Sequence, residues 1–211
     1  MKRIFASVMI AVLCLALFSA CAGKEPEATE SPYLSGLHYV DLVIRDYGTI
    51  SLELDADTAP ISVTNFIKLA NDGFYDGLTF HRIIDGFMMQ GGGFDENGTA
   101  KPADRIKGEF AKNGVINNID HDRGVISMAR ATDFNSGSSQ FFIMHQKSAQ
   151  LDGQYAAFGY VIKGMEIVDE ICENAPVQDS NGQLPSRTGR SSRAYGRWSV
   201  PTSPAFTMWK W

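Results

Sequence analysis

Apolar and polar residues alternate with a period of two in several short stretches of this chain, and this pattern predicts a mainly β protein. Residues 37–44 alternate loosely, and residues 49–54 repeat the pattern after an Asp-Tyr-Gly turn, which predicts an antiparallel pair of strands. Residues 93–122 are polar and rich in Gly, Asn and Asp, so we expect them to be mostly loop. Further short apolar runs, each predicted to be a strand, lie at 125–129, 140–144 and 157–162.

Two segments follow a helical period instead. Pro60 stands where a first helical residue is expected, with Asp57 and Thr58 before it as predicted caps, and Gly73 ends the segment. A second, shorter helix is predicted over 165–172, with Cys172 as a small core residue on its apolar face. Many short strands with two helices predict a closed antiparallel barrel that is capped at its ends.

The stretch FHRIIDGFMMQGGG, residues 80–93, contains two apolar runs around an Asp-Gly turn and ends in three glycines, which predicts a β-hairpin. Strand alternation would place Phe80, Arg82 and Ile84 on one face of this hairpin. Arg82 is then either a solvated charge on an amphipathic hairpin or part of a functional site. The hairpin alone leaves both interpretations open.

The charge of the chain is divided between two regions. The whole chain of 211 residues has a formal net charge of -5, but residues 37–186 carry 11 Lys and Arg against 21 Asp and Glu, a net charge of -10. The last 25 residues, 187–211, carry five basic residues and no acidic one. An acidic domain argues against nucleic acid as a partner, because binding the phosphate backbone needs clustered Lys and Arg.

The histidines and cysteines do not indicate a metal site or a disulfide framework. Cys14 and Cys21 lie near the N-terminus, so they leave Cys172 as the single cysteine of the domain. The histidines have no metal-ligand spacing, and no Ser/His/Asp set is evident in the sequence. The four histidines are His38, His81, His121 and His145.

The N-terminus has the features of a secretory signal. Two basic residues precede an apolar run over 4–18, which is short for a membrane-spanning helix. The sequence FSAC at 18–21 resembles a bacterial lipobox, with Phe where Leu is usual, so we predict a signal peptide over 1–20 and a lipid on Cys21. The alternative is an ordinary signal peptide that is cleaved nearby. Residues 21–36 are polar and acidic, and we interpret them as a disordered tether.

Four ordered motifs identify a family resemblance. GVISMAR (124–130), NSGSSQFFI (135–143) and LDGQYAAFG (151–159) follow the hairpin 80–92, and together they resemble the cyclophilin family of peptidyl-prolyl cis-trans isomerases. The resemblance covers about 37–185. It implies an eight-stranded barrel plugged by two helices, with a groove on its outer surface that rotates X-Pro bonds in proline-containing polypeptides without a metal, a cofactor or a covalent intermediate.

The resemblance also assigns roles to individual residues. Arg82 matches the catalytic arginine, and Gln90 would orient it and bond the substrate backbone. Phe142 and Leu151 could equally be plain barrel core, but the ordered motifs favour a site. The residues implied for the proline slot are Phe87, Met88, Phe142 and Leu151, and those implied for holding the extended peptide are Ala129, Arg130 and Gln140.

Three positions depart from the family pattern. Gln150 stands where cyclosporin-sensitive members often have Trp, so we predict weak cyclosporin binding with retained catalysis. Tyr155 replaces a frequent His and keeps a polar tip that can donate a hydrogen bond. Arg130 stands where Asn is common, and we expect it to be tolerated because this position is thought to contact substrate through its backbone.

The C-terminus departs furthest from the family. Cyclophilins normally end with a strand that closes the barrel, whereas residues 187–211 are rich in Arg, Ser and Trp. A shifted reading frame over 187–195 can encode a sequence of the expected kind, so we hypothesise a frameshift near Ser186. The last strand would then be missing or altered, and the barrel would expose an edge.

The sequence therefore predicts a monomeric prolyl isomerase that is held on the outer side of a bacterial membrane by a lipid and acts on exported or unfolded chains. The main alternative is a chaperone module that binds Pro-containing segments with little or no turnover. A third interpretation is that the altered tail leaves a poorly folded product. Arg82→Ala separates the first two, because it should abolish isomerisation while peptide binding is retained.

Overall fold

The computed structural model describes residues 31–175 and 181–182. Seven strands form one curled antiparallel sheet in the order β1-β2-β7-β5-β6-β4-β3. Short 3₁₀ turns at Ala111–Asn113 and Ala149–Leu151 interrupt the loops. The strands are β1 (Leu37–Ile44), β2 (Gly48–Asp55), β3 (Leu78–Ile84), β4 (Met88–Asp95), β5 (Val125–Met128), β6 (Phe141–Met144) and β7 (Ala157–Lys163), and the helices are α1 (Pro60–Asn71) and α2 (Met165–Asn174).

The prediction of a mainly β fold with two helices is confirmed, but the closed eight-stranded barrel is not what the described residues form. Within these residues the sheet has seven strands, and β1 and β3 are its two ends. The predicted signal peptide 1–20 with Cys21, most of the tether 21–36 and the tail 187–211 lie outside the described residues. Neither helix in 31–175 is long and apolar enough to cross a lipid bilayer.

The two faces of the central strands belong to two different apolar clusters. Along β6, Phe141 and Ile143 lie in the main core, whereas Phe142 and Met144 lie in a second cluster. All four residues of β6 are buried, and so are all four of β5, because both faces of these strands are covered. The main core also receives the apolar faces of both helices, including Cys172, whose predicted position in the core is confirmed. Burial raises the pKa of this thiol to about 12.

The N-terminus of α1 is capped from a distant loop, so the prediction that Asp57 and Thr58 cap it is wrong. The carboxylate of Glu109 accepts hydrogen bonds from the backbone N–H groups of Ile61 at 2.9 Å and Ser62 at 2.7 Å. Glu109 is almost completely buried, and its negative charge lies at the positive end of the helix dipole. Local sequence could not identify this cap because the carboxylate lies 48 residues from Ile61.

The predicted hairpin forms, but its strands do not alternate regularly. Between Phe80 and Arg82 the register of β3 against β4 shifts, as in a β-bulge. Phe80 and Ile83 therefore lie in the main core, whereas Ile84 packs on the second cluster and the guanidinium of Arg82 contacts Met88 of that cluster. The prediction that Phe80 shares a face with Arg82 is wrong. The bulge brings the arginine to the outer face of the sheet.

Candidate active site

A row of residues on the face of the sheet opposite the main core crosses four neighbouring strands. Arg82 of β3 lies opposite Gln90 of β4, and Gln90 lies opposite Phe142 of β6. Phe142 in turn lies opposite Ser127 of β5. Residues directly opposite one another in an antiparallel sheet have Cβ atoms about 4.5–5.5 Å apart. The sheet register thus brings together a cation, an amide and an aromatic ring that are up to 60 residues apart in sequence.

The second apolar cluster, called the pocket below, lies beside this row. Its buried members include Met88 and Phe142, and Phe87 and Leu151 pack against it as half-buried residues. The structure therefore brings together the four side chains that the resemblance implied for a proline slot. These side chains form a cluster separate from the main core, which does not include Phe142 or Leu151. The cluster also includes Ala129, Tyr155, Ile84, Ile119, Val125, Met144 and Ala157.

The guanidinium of Arg82 lies at the edge of this pocket. Its Nη1 donates to the sulfur of Met88 at 3.9 Å, and its Nε donates to the backbone carbonyl of Asn181 at 2.9 Å. The side chain is half-buried. Among the described residues, no carboxylate lies within ion-pair distance of it. Within the described residues Arg82 therefore presents a positive charge that has no carboxylate partner next to an apolar surface.

Gln90 and Gln140 form a pair of amides along the groove. The side-chain Nε2 of Gln90 donates to Oε1 of Gln140 at 2.9 Å. Gly93 makes room for this pair, because a Cβ at position 93 would lie only 2.5 Å from Nε2 of Gln140. We predicted that Gln90 orients Arg82, but its amide bonds Gln140 and the arginine is held by Asn181 instead. The two amides leave further donors and acceptors for an extended peptide.

The side chain of Arg130 is enclosed by aromatic rings. Its guanidinium carbon lies 5.1 Å from the ring centre of Phe110, 4.9 Å from that of Phe134 and 4.6 Å from that of Tyr155. Its Nε donates to the carbonyl of Gln154 at 3.0 Å. Within the described residues the backbone of Arg130 makes no hydrogen bond, which leaves its N–H and C=O open to a peptide.

Behind the pocket, the structure places a Ser, a His and an Asp together, although none of them was singled out in the sequence. Nδ1 of His121 lies 3.0 Å from Oδ1 of Asp152, and its Nε2 lies 3.0 Å from Oγ of Ser127. The ring of His121 stacks on Phe142 with 5.9 Å between centres and 18° between planes. Ser127 is fully buried, so no substrate can reach its hydroxyl. The cluster therefore supports the pocket wall and does not act as a nucleophilic triad.

Burial lowers the pKa of His121, although Asp152 opposes this effect. Burial also acts to raise the pKa of Asp152, but hydrogen bonds from the backbone and ring of His121 outweigh it and lower the pKa overall. A neutral ring with its proton on Nδ1 can donate to the carboxylate and accept from the hydroxyl of Ser127. This arrangement fixes the plane on which the ring of Phe142 rests.

A second buried histidine holds the turn that carries Phe87. His145 lies between the carboxylates of Asp85, at 3.4 Å, and Asp169 of α2, at 3.2 Å. The backbone N–H of Gly86 donates to its Nδ1 at 3.0 Å, and the backbone N–H of His145 donates to the carbonyl of Phe87 at 2.8 Å. One side wall of the pocket is therefore anchored to helix α2.

Sequence reasoning missed the residues that support the site. Ser127 and Asp152 lie inside the quoted motifs at 124–130 and 151–159, so their place beside known site positions was a usable signal. His121 precedes the first of these motifs by three residues. Asn181 could not be recognised from the sequence, because it contacts Arg82 through its backbone carbonyl, a group that every residue has.

Comparisons with known proteins agree with this geometry. The family model "Cyclophilin type peptidyl-prolyl cis-trans isomerase/CLD" matches residues 39–189. Peptidyl-prolyl cis-trans isomerase A of Dickeya dadantii is 43% identical over 177 residues, which cover 82% of this chain and 85% of that protein.

Solved structures show the same similarity. A crystal structure of a cyclophilin type peptidyl-prolyl cis-trans isomerase from Cryptosporidium parvum matches with a TM-score of 0.64 and 28% identity, covering 78% of this chain and 96% of that one. A structure of that protein in the presence of the dipeptide Ala-Pro matches with a TM-score of 0.63 and 29% identity, covering 77% and 97%.

Proposed function

Because this chain belongs to the cyclophilin type peptidyl-prolyl cis-trans isomerases, we propose that Arg82 and the adjacent apolar pocket carry out its isomerisation of X-Pro bonds. The chain is a peptidyl-prolyl cis-trans isomerase, and the proposal concerns the residues that perform the reaction. The observation that supports it is the charge of Arg82, which has no carboxylate partner among the described residues and lies at the edge of the pocket formed by Phe87, Met88, Phe142 and Leu151.

Rotation about a peptide bond is slow because resonance gives the C–N bond partial double-bond character. The barrier is about 18–20 kcal/mol, and uncatalysed X-Pro isomerisation takes on the order of tens to hundreds of seconds. A catalyst needs only to weaken this partial double bond while the bond is twisted. No bond is made or broken, so neither a nucleophile nor a cofactor is needed.

Arg82 can supply this weakening. In the twisted state the lone pair of the prolyl nitrogen is no longer shared with the carbonyl, so it can accept a hydrogen bond from the guanidinium. In the planar ground states that lone pair is delocalised into the carbonyl and accepts hydrogen bonds poorly, so the interaction is stronger in the transition state, as catalysis requires. Arginine suits this role because it stays charged and offers several donors in a rigid fork.

The pocket and the groove hold the two sides of the rotating bond. The proline ring would lie against Phe142 and Met88, which are already removed from water. The peptide backbone would bond the amides of Gln90 and Gln140 and the open backbone groups of Arg130, with Ala129 and Tyr155 on the same side. Holding one side still while the other turns favours rotation over simple binding.

The test is a proline-isomerisation assay of the purified protein beside its Arg82→Ala variant. We expect kcat/KM to fall about 10²–10³-fold, as when one preorganised donor is removed from other active sites. The affinity for a Pro-containing peptide should change by less than about threefold, because the pocket is unaltered. The matched control is Arg105→Ala, since Arg105 is exposed and pairs only weakly with Asp133 at 3.9 Å.

Two results would contradict this assignment. Equal activity of the Arg82→Ala variant and the original protein would show that the charge is not required. Peptide binding without turnover in the original protein would instead support a chaperone module. Loss of the cooperative melt would indicate a folding defect, which circular dichroism of both proteins detects.

The proposal includes the location of the protein, which rests on its N-terminal sequence alone. The basic start, the apolar run over 4–18 and the lipobox-like FSAC at 18–21 support export and a lipid on Cys21. The substrates would then be exported polypeptides. The test is incorporation of a labelled fatty acid and recovery of the protein with membranes, both of which Cys21→Ser should abolish.

Three further features belong to the proposal. An eighth strand between the end strands β1 and β3 would close the barrel, as the family resemblance implies. The protein would act as a monomer, which sedimentation at several concentrations tests. Gln150 is exposed beside Leu151, so cyclosporin should bind weakly, and Gln150→Trp should strengthen that binding in a calorimetric titration.

A further inference from the structure

A turn far along the chain contacts the arginine of the candidate site. The carbonyl of Asn181 accepts the hydrogen bond from Nε of Arg82 at 2.9 Å, although the two residues are 99 positions apart. The next residue, Gly182, is buried, and its carbonyl accepts a hydrogen bond from the backbone N–H of Ile83 at 2.7 Å. Two successive carbonyls therefore bond two successive residues of β3.

Gly182 can make this approach only because it has no side chain. Its φ of +74° lies in the left-handed region, which other residues rarely adopt. A Cβ at this position would lie 2.1 Å from the carbonyl oxygen of Ile83 and 2.5 Å from Cγ1 of Ile84. Both contacts are far shorter than atoms tolerate, so any substitution must push the turn away from β3. The position of the Asn181 carbonyl thus depends on glycine at 182.

A carbonyl differs from a carboxylate as a partner for arginine. Arg123 shows the common case, with Nη1 2.7 Å from a carboxylate oxygen of Asp169, which compensates its charge. The carbonyl of Asn181 orients the guanidinium of Arg82 through Nε but adds no negative charge. The Nη groups keep their full charge for the substrate.

We propose that the turn formed by Asn181 and Gly182 is a positioning element for Arg82, which holds Nε so that the Nη groups face the proline pocket. This inference rests on the proposed role of Arg82 in isomerisation. A free arginine side chain loses rotamer entropy when it is held in one position. Fixing Nε before substrate arrives removes part of that loss from the catalytic step.

A double-mutant cycle tests the proposal. Gly182→Ala should lower kcat at least about tenfold with little change in KM, because the charge remains but its position is lost. In the Arg82→Ala background the same substitution should have no further effect. Equal losses in both backgrounds would overturn the proposal. The matched control is Gly114→Ala, since Gly114 has a φ of +76° but open space around its Cβ position.

NMR of the arginine Nε–H group detects the hydrogen bond between Arg82 and Asn181 independently of catalysis. The Arg82 signal is assigned by its absence in Arg82→Ala. We expect its Nε–H proton to exchange slowly with water in the original protein and rapidly in Gly182→Ala. Unchanged exchange would overturn the proposal. If Arg82→Ala is fully active while this signal is protected, the catalytic role fails and the contact stands, so the two failures are distinguishable.

A second pair of variants covers the case in which Gly182→Ala does not fold. Asn181→Gly and Asn181→Ala both lack the side chain, but glycine also frees the backbone that carries the carbonyl. We expect kcat of the glycine variant to be about three- to tenfold below that of the alanine variant. Equal kcat values would contradict a role for the carbonyl.

Discussion

Phe141 and Phe142 are neighbours on one strand and have the same side chain, yet they belong to different parts of the molecule. Phe141 is completely buried in the main core, where its ring meets Phe66, Tyr75 and Phe80 edge-on at 5.3–6.1 Å. Phe142 lies on the other face, where it stacks on His121. The same residue type thus lies once in the main core and once in the proposed site.

The difference lies in what surrounds each ring. The main core is enclosed by apolar side chains from the sheet and both helices, and Phe141 has no exposed surface there. The second apolar cluster, which lies on the outer face of the sheet and is called the outer cluster from here on, has polar groups behind it. Half-buried residues such as Phe87, Leu151 and Tyr155 lie at its rim. A sealed cluster stabilises the fold, whereas a cluster with an open rim can also receive a ligand.

Truncating each phenylalanine should separate these two roles. Phe141→Ala should lower the free energy of unfolding by about 3–5 kcal/mol, because it removes a ring from a sealed core and leaves a cavity. Phe142→Ala should cost less stability, because half-buried neighbours such as Phe87 and Leu151 can move into the space that the ring leaves. It should instead raise KM for a Pro-containing peptide. Urea denaturation and the isomerisation assay measure the two effects.

The comparison fails if both variants lose stability equally while peptide affinity is unchanged in Phe142→Ala. That result would mean that the outer cluster is simply a second core. Phe158→Ala serves as a control for the first variant, since Phe158 is also fully buried in the main core and contacts Phe66 at 5.4 Å.

The buried carboxylate of Glu109 is expected to contribute to the stability of the fold but not to the proposed site. Glu109→Ala removes the acceptor for the N–H groups of Ile61 and Ser62 and leaves them unpaired inside the protein. We expect a loss of about 2–3 kcal/mol in unfolding free energy, since each buried orphan donor costs about 1–3 kcal/mol. Activity per folded molecule should be unchanged. Asp57→Ala, at the wrongly predicted cap, should cost much less.

Sequence predicted the elements better than their orientation. Strand β1 and the start of α1 at Pro60 follow from local periodicity and proline geometry, and both are confirmed. The faces of the hairpin were wrong, because the bulge after Phe80 is a property of the pairing between strands. The family motifs named the residues of the pocket, since each lies inside a recognisable local pattern.

The supporting contacts could not be predicted in the same way. The bond from Arg82 to Asn181 and the cap from Glu109 join residues 99 and 48 positions apart. Each depends on where the fold brings a single carbonyl or carboxylate, and local sequence contains no pattern for that. The aromatic enclosure of Arg130 is of the same kind, because its rings come from three separate segments.

Acid should weaken the fold through histidines that are buried in the neutral form. Burial, with a smaller effect of Arg82, lowers the pKa of His81 to about 4, and burial also lowers that of His121. The unfolded chain therefore binds more protons, and stability falls as the pH falls from about 6.5 towards 4. Between pH 7 and pH 5 we expect His81 to account for a loss of about 1–2 kcal/mol.

The measurement is urea denaturation of the original protein and of His81→Gln at both pH values. The variant should show a smaller difference between pH 7 and pH 5, because glutamine does not titrate. An equal difference in both proteins would show that His81 is not the group that takes up the proton on unfolding.

Tyr155 provides the smallest and sharpest test of the outer cluster. Its ring meets Phe142 edge-on at 5.7 Å and lies 4.6 Å from the guanidinium carbon of Arg130, so the ring itself holds both neighbours. Within the described residues its hydroxyl has no hydrogen-bond partner. Tyr155→Phe keeps the ring and should change kcat/KM by less than about threefold, whereas Tyr155→Ala should lower it about tenfold. If the phenylalanine variant loses as much activity as the alanine variant, the hydroxyl donates to the substrate. The polar tip would then matter more than the ring, and the outer cluster would differ from the main core in its chemistry as well as in its open rim.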